Sequence, residues 1–148
     1  MASVILNIPG KPIGKGRPKF SRRGAYVQTY TPEKTVAYEN LVQLAWIQAG
    51  HEKLNGCLKV RIDACFKIPS SVSKKKHEEM RWQYYPHKAD ADNIAKSILD
   101  ALNGIAFDDD AQVVELSVTK RYSPCDVEAA VVFLEEIGEV VPHDIQKM

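Results

Sequence analysis

The residues best suited to chemistry in this chain are acidic, and they lie in two short stretches. The stretch HKADADNIAK, residues 87–96, places Asp90 and Asp92 two residues apart and Lys96 four residues later. The stretch FDDDAQVV then adds three consecutive aspartates, Asp108 to Asp110. Carboxylate oxygens suit Mg²⁺, which keeps several waters and bridges to phosphate oxygens. The two stretches therefore predict a magnesium site for phosphoryl transfer.

The chemistry expected of such a site is the hydrolysis of a phosphodiester. A bound metal lowers the pKa of a water and stabilises charge during phosphoryl transfer, and Lys96 would stabilise developing negative charge or position the attacking water. A plainer interpretation is structural: Asp92 is a helix N-cap, the three aspartates are turn residues and Lys96 is a surface ion-pair partner. The residues alone leave both interpretations open.

Basic residues are concentrated outside the acidic region, although the net charge is only +1. Residues 1–32 carry six bases and no acid, residues 67–88 carry six bases and two acids, and residues 89–148 carry four bases and thirteen acids. Two basic blocks beside an acidic centre predict a polyanionic partner, because each neutralised phosphate releases counterions. The side chains that we expect on a nucleic-acid backbone are Lys15, Arg17, Lys19, Arg22, Arg23, Lys74, Lys75, Lys76 and Lys88.

Length and composition favour one globular domain over residues 1–138, with residues 139–148 as a frayed tail. No apolar run approaches the roughly 18 residues of a membrane span, and the N-terminus lacks the pattern of a secretory signal. The three cysteines, Cys57, Cys65 and Cys125, are odd in number and show no CxxC spacing. They predict small buried side chains in a reducing cytoplasm, without a disulfide framework or a zinc site.

The pattern of apolar residues predicts an α+β fold with helices packed on one mixed sheet. The predicted strands are Ser3–Pro9, Cys57–Ile68, 111–122 and 127–137, with the last two paired through a turn at Ser123–Asp126, and Phe20, Tyr26 and Tyr30 suggest a further β-ribbon. The predicted helices are 31–49, with Thr31 as N-cap and an apolar stripe of Val36, Leu41, Leu44, Ala45 and Gln48, then 73–81 and 92–103.

The third predicted helix has a polar side formed by Asp92, Lys96 and Asp100, opposite its apolar stripe. Asp90 lies just before the helix, where an extended backbone would point it the same way as Asp92. An antiparallel return after the helix would carry Asp110 away from Asp90. The metal site therefore requires that the next strand begins near the helix start or loops back along the helix.

Taken together, the segment KADADNIAKSILDALNGIAFDDDAQVVELSVTKRY resembles the RusA family of Holliday-junction resolvases, which prophages typically encode. The family pattern is approximately KPDxDNLxKxxxDALNG followed by DDxQV, and the N-terminal GKPIGKGRPKFSRRGAYVQTYTPEKTVAYE resembles the phage branch of the family. The resemblance implies a Mg²⁺-dependent endonuclease of bacterial or phage-infected cells, associated with the nucleoid. It would act as a homodimer and make paired symmetric nicks across a four-way DNA junction, in recombination and repair.

The resemblance also assigns roles to individual residues. Asp90, Asp92 and Asp110 match the metal-binding carboxylates of the family, and Lys96 matches its catalytic lysine. Ala89 stands where the family usually has proline, and the third consecutive aspartate leaves Asp109 as an alternative ligand to Asp110. Two rival functions remain: a branched-DNA-binding protein that has lost catalysis, and a Mg²⁺-dependent nuclease for other branched DNA such as flaps.

Overall fold

The computed structural model describes residues 1–24, 26–30 and 32–141, which form six strands and three helices. The strands are β1 (Ser3–Pro9), β2 (Lys19–Arg23), β3 (Tyr26–Tyr30), β4 (Cys57–Phe66), β5 (Val113–Tyr122) and β6 (Ala129–Gly138), and the helices are α1 (Glu33–Ala49), α2 (Lys74–Met80) and α3 (Ala91–Leu102). A short 3₁₀ turn, Asp110–Gln112, precedes β5. In this part of the chain no helix has the length and hydrophobicity needed to cross a bilayer.

Four strands form a mixed sheet in the order β1-β6-β4-β5, and β2 and β3 form a separate antiparallel ribbon. β6 runs antiparallel to both β1 and β4, whereas β5 runs parallel to β4. Leu58, Val60 and Ile62 of β4 are almost completely buried, and the residues between them are not. This alternation puts one side of each strand against a core. The predicted α+β class is therefore confirmed, and so is the ribbon.

The core lies between the sheet and two helices that pack on the same face. α3 contributes Ile94, Ile98, Ala101 and Leu102, each 0% exposed. Because these positions are spaced by three or four residues, the opposite side of α3 is left for polar residues. α1 packs against both α3 and β1. The helix that carries the acidic motif is thus anchored along its whole apolar side.

The prediction that the last two strands pair with each other is wrong. β4 lies between β5 and β6. Each of these two strands pairs with β4, and they do not pair with each other. The connection between them crosses the end of β4, where the Ser123 N–H donates to the Phe66 carbonyl at 2.7 Å and the Lys67 N–H donates to the Glu128 carboxylate at 3.3 Å. The apolar strand β4 is stabilised most when both of its edges are paired. A tight hairpin between β5 and β6 would leave one edge of β4 without a neighbour.

The predicted apolar stripe of α1 is correct only in part: Leu41 and Ala45 pack against the core, but the most buried side chains are others. The buried side chains are Thr35, Tyr38, Val42 and Trp46, whereas Val36 and Leu44 are exposed. Apolar residues occur on all sides of α1, so their periodicity does not identify the buried face. The buried face is the one that carries the large rings of Tyr38 and Trp46. Trp46 is 3% exposed and belongs to the core.

Several smaller predictions have clear outcomes. All three cysteines are free, but none is buried as predicted: Cys57 and Cys65 are half-buried and Cys125 is exposed. Cys125 lies in a bend of the surface connection between β5 and β6. The predicted N-cap Thr31 and the part of the tail from residue 142 to 148 lie outside the described residues. The tail and the boundary at residue 138 stay predictions.

Candidate active site

A pocket of about 700 Å³ runs along the polar side of α3. It is lined by Asp90, Asp92, Lys96 and Asp110, the four residues predicted to be catalytic. Asn93 and Asp100 of the same helix also face it, and the wall opposite α3 is formed by the loop that carries Lys15, Gly16, Arg17 and Pro18. The structure thus brings the two acidic stretches and part of the first basic block to one pocket.

Asp90 is at the N-cap position of α3, yet its side chain makes no capping hydrogen bond. Its carbonyl accepts the first helical hydrogen bond, from the Ile94 N–H at 3.0 Å. Asp92 lies in the first turn of the helix, so it is not the N-cap that the structural interpretation required. An aspartate at the N-cap normally accepts a backbone N–H. The Asp90 carboxylate accepts none, so it is available to a ligand.

The loop opposite α3 is held in place by short hydrogen bonds. The Lys15 N–H donates to the Asn93 carbonyl at 2.8 Å, and the buried Ser97 hydroxyl donates to the Ile13 carbonyl at 2.7 Å. Gly16 donates its N–H to the Thr35 hydroxyl at 2.9 Å. A Cβ on Gly16 would lie 2.8 Å from Cγ of Pro32, so this close approach requires glycine.

The three consecutive aspartates have three different environments. Asp108 forms an ion pair with Lys53 at 2.9 Å. Asp109 accepts the Ala111 N–H at 3.1 Å and forms a capping box with Gln112. Asp110 faces the pocket, and its N–H donates to the Asn103 side chain at 2.9 Å. Of these three aspartates, only Asp110 shares the pocket with Asp90 and Asp92. This position favours Asp110 as a site residue over the alternative, Asp109.

The pKa of Asp110 is raised above its ordinary value of 3.8. The largest cause is a side-chain hydrogen bond with Asp109, followed by partial desolvation and by the negative charges of Asp109 and Asp100. Like charges close together disfavour ionisation. This end of the pocket therefore has an excess of negative charge that a cation would relieve.

The donor set of the pocket suits a hard divalent cation, although it is not a preformed cage. Within residues 1–24, 26–30 and 32–141, no three histidine, cysteine or carboxylate side chains lie close enough to hold a metal ion together. Asp92 and Asp100 are separated by eight residues of helix, about 12 Å at 1.5 Å per residue. The antiparallel return after α3 does carry Asp110 to the far end of the pocket, beside Asp100 and Asn103.

The charge pairing of the four predicted catalytic residues favours a cation over the structural interpretation. Among the described residues, no ion pair includes Asp90, Asp92, Lys96 or Asp110. Mg²⁺ is commonly held by one or two carboxylates, with water and substrate phosphates completing its shell. Unpaired Asp90 and Asp92 meet that requirement.

The residues predicted to contact DNA fall into two groups. Arg17 faces the pocket, and exposed positions are occupied by Lys19 and Arg22 on the ribbon, Lys74, Lys75 and Lys76 on α2, and Lys88 before α3. Lys15 differs, because its ammonium is already paired with Glu39 and Asp100. The Arg23 backbone belongs to β2. Lys15 is therefore better explained as a part of the pocket wall than as a free contact to phosphate.

Sequence reasoning missed two residues beside the predicted catalytic set. Asn93 lines the pocket and its carbonyl anchors the loop opposite. Lys120 donates to the Ala89 carbonyl at 2.7 Å, directly before Asp90. A signal for Lys120 was present: it follows Leu116 and Val118 at the same alternate positions of a strand, where an apolar residue is expected.

The fold and the pocket define a small α+β domain whose acidic groove is bordered by basic side chains. Residues 9–132 match the family model described as Endodeoxyribonuclease RusA. The chain is also 34% identical over 128 residues to "Uncharacterized protein YqaN" of Bacillus subtilis (strain 168), covering 83% of this chain and 90% of that protein. The chain therefore belongs to the RusA family of endodeoxyribonucleases.

Proposed function

We propose that this protein is a Mg²⁺-dependent endodeoxyribonuclease that resolves four-way DNA junctions by paired symmetric nicks, in DNA recombination and repair. The observation that carries the proposal is the single pocket lined by Asp90, Asp92, Lys96 and Asp110 in a chain of the RusA family. Family membership supports the reaction class, and the pocket supports the choice of residues.

In this proposal Asp90 and Asp92 would hold the Mg²⁺, and Asp110 would contribute its negative charge from the far end of the same pocket. When bound, the metal supplies a positive charge that stabilises phosphoryl transfer and acidifies a water. Asp109 has a structural role, because its carboxylate caps the turn before β5. Gln112 supports the same turn: its side-chain oxygen accepts the Asp109 N–H at 3.0 Å, and its amide nitrogen donates to the Gly56 carbonyl at 3.0 Å.

Lys96 and Arg17 supply the positive charge of the pocket that no described carboxylate neutralises. We assign Lys96 to the scissile phosphate, where its ammonium stabilises the charge that develops on oxygen. We assign Arg17 to the same or the next phosphate, because a guanidinium binds phosphate oxygens in a bidentate manner. The exposed bases of the ribbon and of α2 then hold the flanking DNA backbone.

We propose a homodimer, because a four-way junction has two equivalent strands to cut and twofold symmetry supplies two equivalent sites. Two surfaces offer exposed apolar side chains for such contact. One is α1, through Val36, Leu44 and Ile47, and the other is the edge strand β5, through Val114 and Leu116.

The proposal is tested by assaying four-way junctions, three-way junctions, flaps and linear duplex side by side, with Mg²⁺ and with EDTA. We expect symmetric paired nicks in the four-way junction alone, and only with Mg²⁺. Asp90→Asn and Asp92→Asn should each abolish cutting and preserve junction binding, because the basic surfaces remain. Asp108→Asn, which changes an ion pair outside the pocket, is the matched control and should cut normally.

Other outcomes would replace the proposal with one of its rivals. Preferential cutting of flaps would indicate a nuclease for other branched DNA. Junction binding without cutting, under all metal conditions, would indicate a binding protein in which the acids serve only as caps and turns. Unchanged nicking by both Asp90→Asn and Asp92→Asn would refute the assignment of the catalytic carboxylates.

A further inference from the structure

We infer that Lys120 of β5 is a positioning residue for Asp90, which it orients through the backbone of the segment 87–89. The inference rests on the proposed function, because it assumes that the Asp90 carboxylate acts in the pocket. The family pattern ends at Val113, before Lys120, and no role for Lys120 was predicted from the sequence.

The Lys120 ammonium is bound to main-chain carbonyls rather than to an acid. Its Nζ atom donates to the His87 carbonyl at 2.5 Å and to the Ala89 carbonyl at 2.7 Å. Lys120 is paired with buried Ala64 across the sheet, so its side chain projects to the face that the helices cover. The ammonium thus reaches the N-terminal end of α3 from the sheet, at Ala89, one residue before Asp90.

The segment that leads into Asp90 has a second anchor at the same strand. The Tyr85 N–H donates to the Lys120 carbonyl at 3.0 Å, and the Tyr122 N–H donates to the Gln83 carbonyl at 2.9 Å. The Tyr85 ring stacks on Phe66, with centroids 4.0 Å apart and planes 6° apart. These contacts fix residues 83–85, but they leave residues 87–89 to the Lys120 ammonium.

Lys120 has a plain structural explanation, but its surroundings indicate more than stability. Among the described residues it has no carboxylate partner, and its charge faces a second cavity of about 830 Å³ that is also lined by Asp90. Asp90 lines both this cavity and the catalytic pocket. A change at Lys120 therefore acts on the wall between the two cavities. Loss of its ammonium would leave two carbonyls without their donor at the joint that carries Asp90.

The experiment compares Lys120→Met, Lys120→Arg and the control Lys59→Met. Met keeps most of the apolar stem and removes the donors, Arg keeps charge and donors, and Lys59 lies on the opposite side of the sheet from the buried residues of β4. Three quantities are measured in each: the single-turnover cutting rate at saturating four-way junction, the Kd for that junction with Ca²⁺ in place of Mg²⁺, and the Kd for Mg²⁺ by calorimetry without DNA. Urea unfolding shows whether each variant is folded.

Residues that orient a metal ligand typically contribute 10- to 100-fold to metal affinity or activity. We therefore expect Lys120→Met to cut about 10- to 100-fold more slowly and to bind Mg²⁺ at least about threefold more weakly, while its Kd for the junction changes less than threefold. Lys120→Arg should recover most of the rate, and Lys59→Met should behave as wild type.

Wild-type cutting and wild-type Mg²⁺ affinity in folded Lys120→Met would overturn the inference. A loss that appears only in junction binding would also overturn it, because it would make Lys120 an ordinary phosphate contact. The failure of the proposed function is separate: wild type would then cut no branched DNA. The Mg²⁺ titration of wild type against Lys120→Met would still decide whether Lys120 supports the carboxylate site.

Discussion

The Nζ atom of Lys15 lies 3.1 Å from Oδ2 of Asp100 and 2.6 Å from Oε1 of Glu39. One ammonium thus joins the loop opposite α3 to both packed helices. The hydrogen bond to Glu39 is the main cause that raises the pKa of Lys15 above 10.5; burial opposes it and Asp100 adds to it. The wall of the pocket is therefore held in place by a charge that persists through neutral pH.

Lys15→Met should lower the free energy of unfolding by about 0.5–1 kcal/mol at pH 7, the upper range for partly exposed ion pairs. A lysine whose pKa is raised by folding contributes stability that is fully present below its unfolded value of 10.5 and is lost as the pH rises through the folded value. Urea unfolding between pH 7 and 11 measures the difference between wild type and variant.

The control for this prediction is Lys19→Met, because Lys19 is exposed on the ribbon and takes part in no ion pair among the described residues. It should leave stability unchanged across the same range. A Lys15→Met deficit that stays constant up to pH 11 would show that the lost stability comes from packing of the side-chain stem.

Asp110→Asn and Asp109→Asn should separate catalysis from capping. Asp110→Asn should reduce cutting by at least about 100-fold, because it removes a carboxylate from the pocket that would hold the metal. A carboxyl whose pKa is raised by folding is destabilising once ionised, so Asp110→Asn should also make the protein slightly more stable at pH 7 and not at pH 3. The measurements are single-turnover cutting and urea unfolding.

Asp109→Asn retains a side-chain oxygen that can accept the Ala111 N–H, and it should cut within a few-fold of wild type. Asp109→Ala removes the cap and should lower stability by about 1 kcal/mol. If Asp109→Asn abolished cutting while Asp110→Asn did not, the catalytic assignment of Asp110 would be wrong and Asp109 would take its place.

Mg²⁺ should stabilise the folded protein through the same carboxylates. A ligand at ten times its Kd stabilises by about 1.4 kcal/mol if it binds only the folded state. Differential scanning fluorimetry should therefore show a higher Tm with Mg²⁺ than with NaCl of equal ionic strength. The difference should vanish in the double variant Asp90→Asn, Asp92→Asn, and an equal shift in that variant would place the bound ion elsewhere.

Arg17 and Lys19 should contribute to junction affinity through phosphates. The double variant Arg17→Gln, Lys19→Gln should reduce the slope of log K against log salt by up to about 1.8, since each neutralised phosphate contributes about 0.9. Fluorescence anisotropy with labelled junction between 50 and 200 mM NaCl, a range chosen for the usual sensitivity of such complexes, measures the slope. Lys59→Gln is the control, and an unchanged slope in the double variant would remove these residues from the DNA-binding surface.

Local patterns in the sequence predicted elements well where one periodicity dominates. β1 has the predicted bounds, and α3 begins at Ala91, one residue before the predicted start. Alternating burial in β4 and the three- and four-residue spacing of Ile94 and Ile98 leave little ambiguity. The buried face of α1 was predicted only in part, with Leu41 and Ala45 correct, because its apolar residues do not define one face.

Relations between distant segments were harder to predict. The position of β4 between β5 and β6 depends on which edge of a buried strand each neighbour takes, and a short turn sequence does not reveal that. The residues of the candidate site could be predicted because they lie in two short stretches of one recognisable motif. Their spacing could not be predicted: Asp110 lies beside Asn103, at the end of the pocket away from Asp90. The different roles of Asp108, Asp109 and Asp110 required the structure, because three identical side chains differ only in what they contact.

The placement of β4 has a consequence for how the acidic groove is assembled during folding. The acidic motif from Asp90 to Asp110 is followed by β5, whose only ladder in the four-stranded sheet is with β4. That ladder closes a loop of roughly fifty residues, a non-local event that local helix formation precedes. A fragment that starts after β4 would keep every signature residue, and yet it would lack the strand against which the groove is built. The motif identifies the enzyme family, but it is not an autonomous unit.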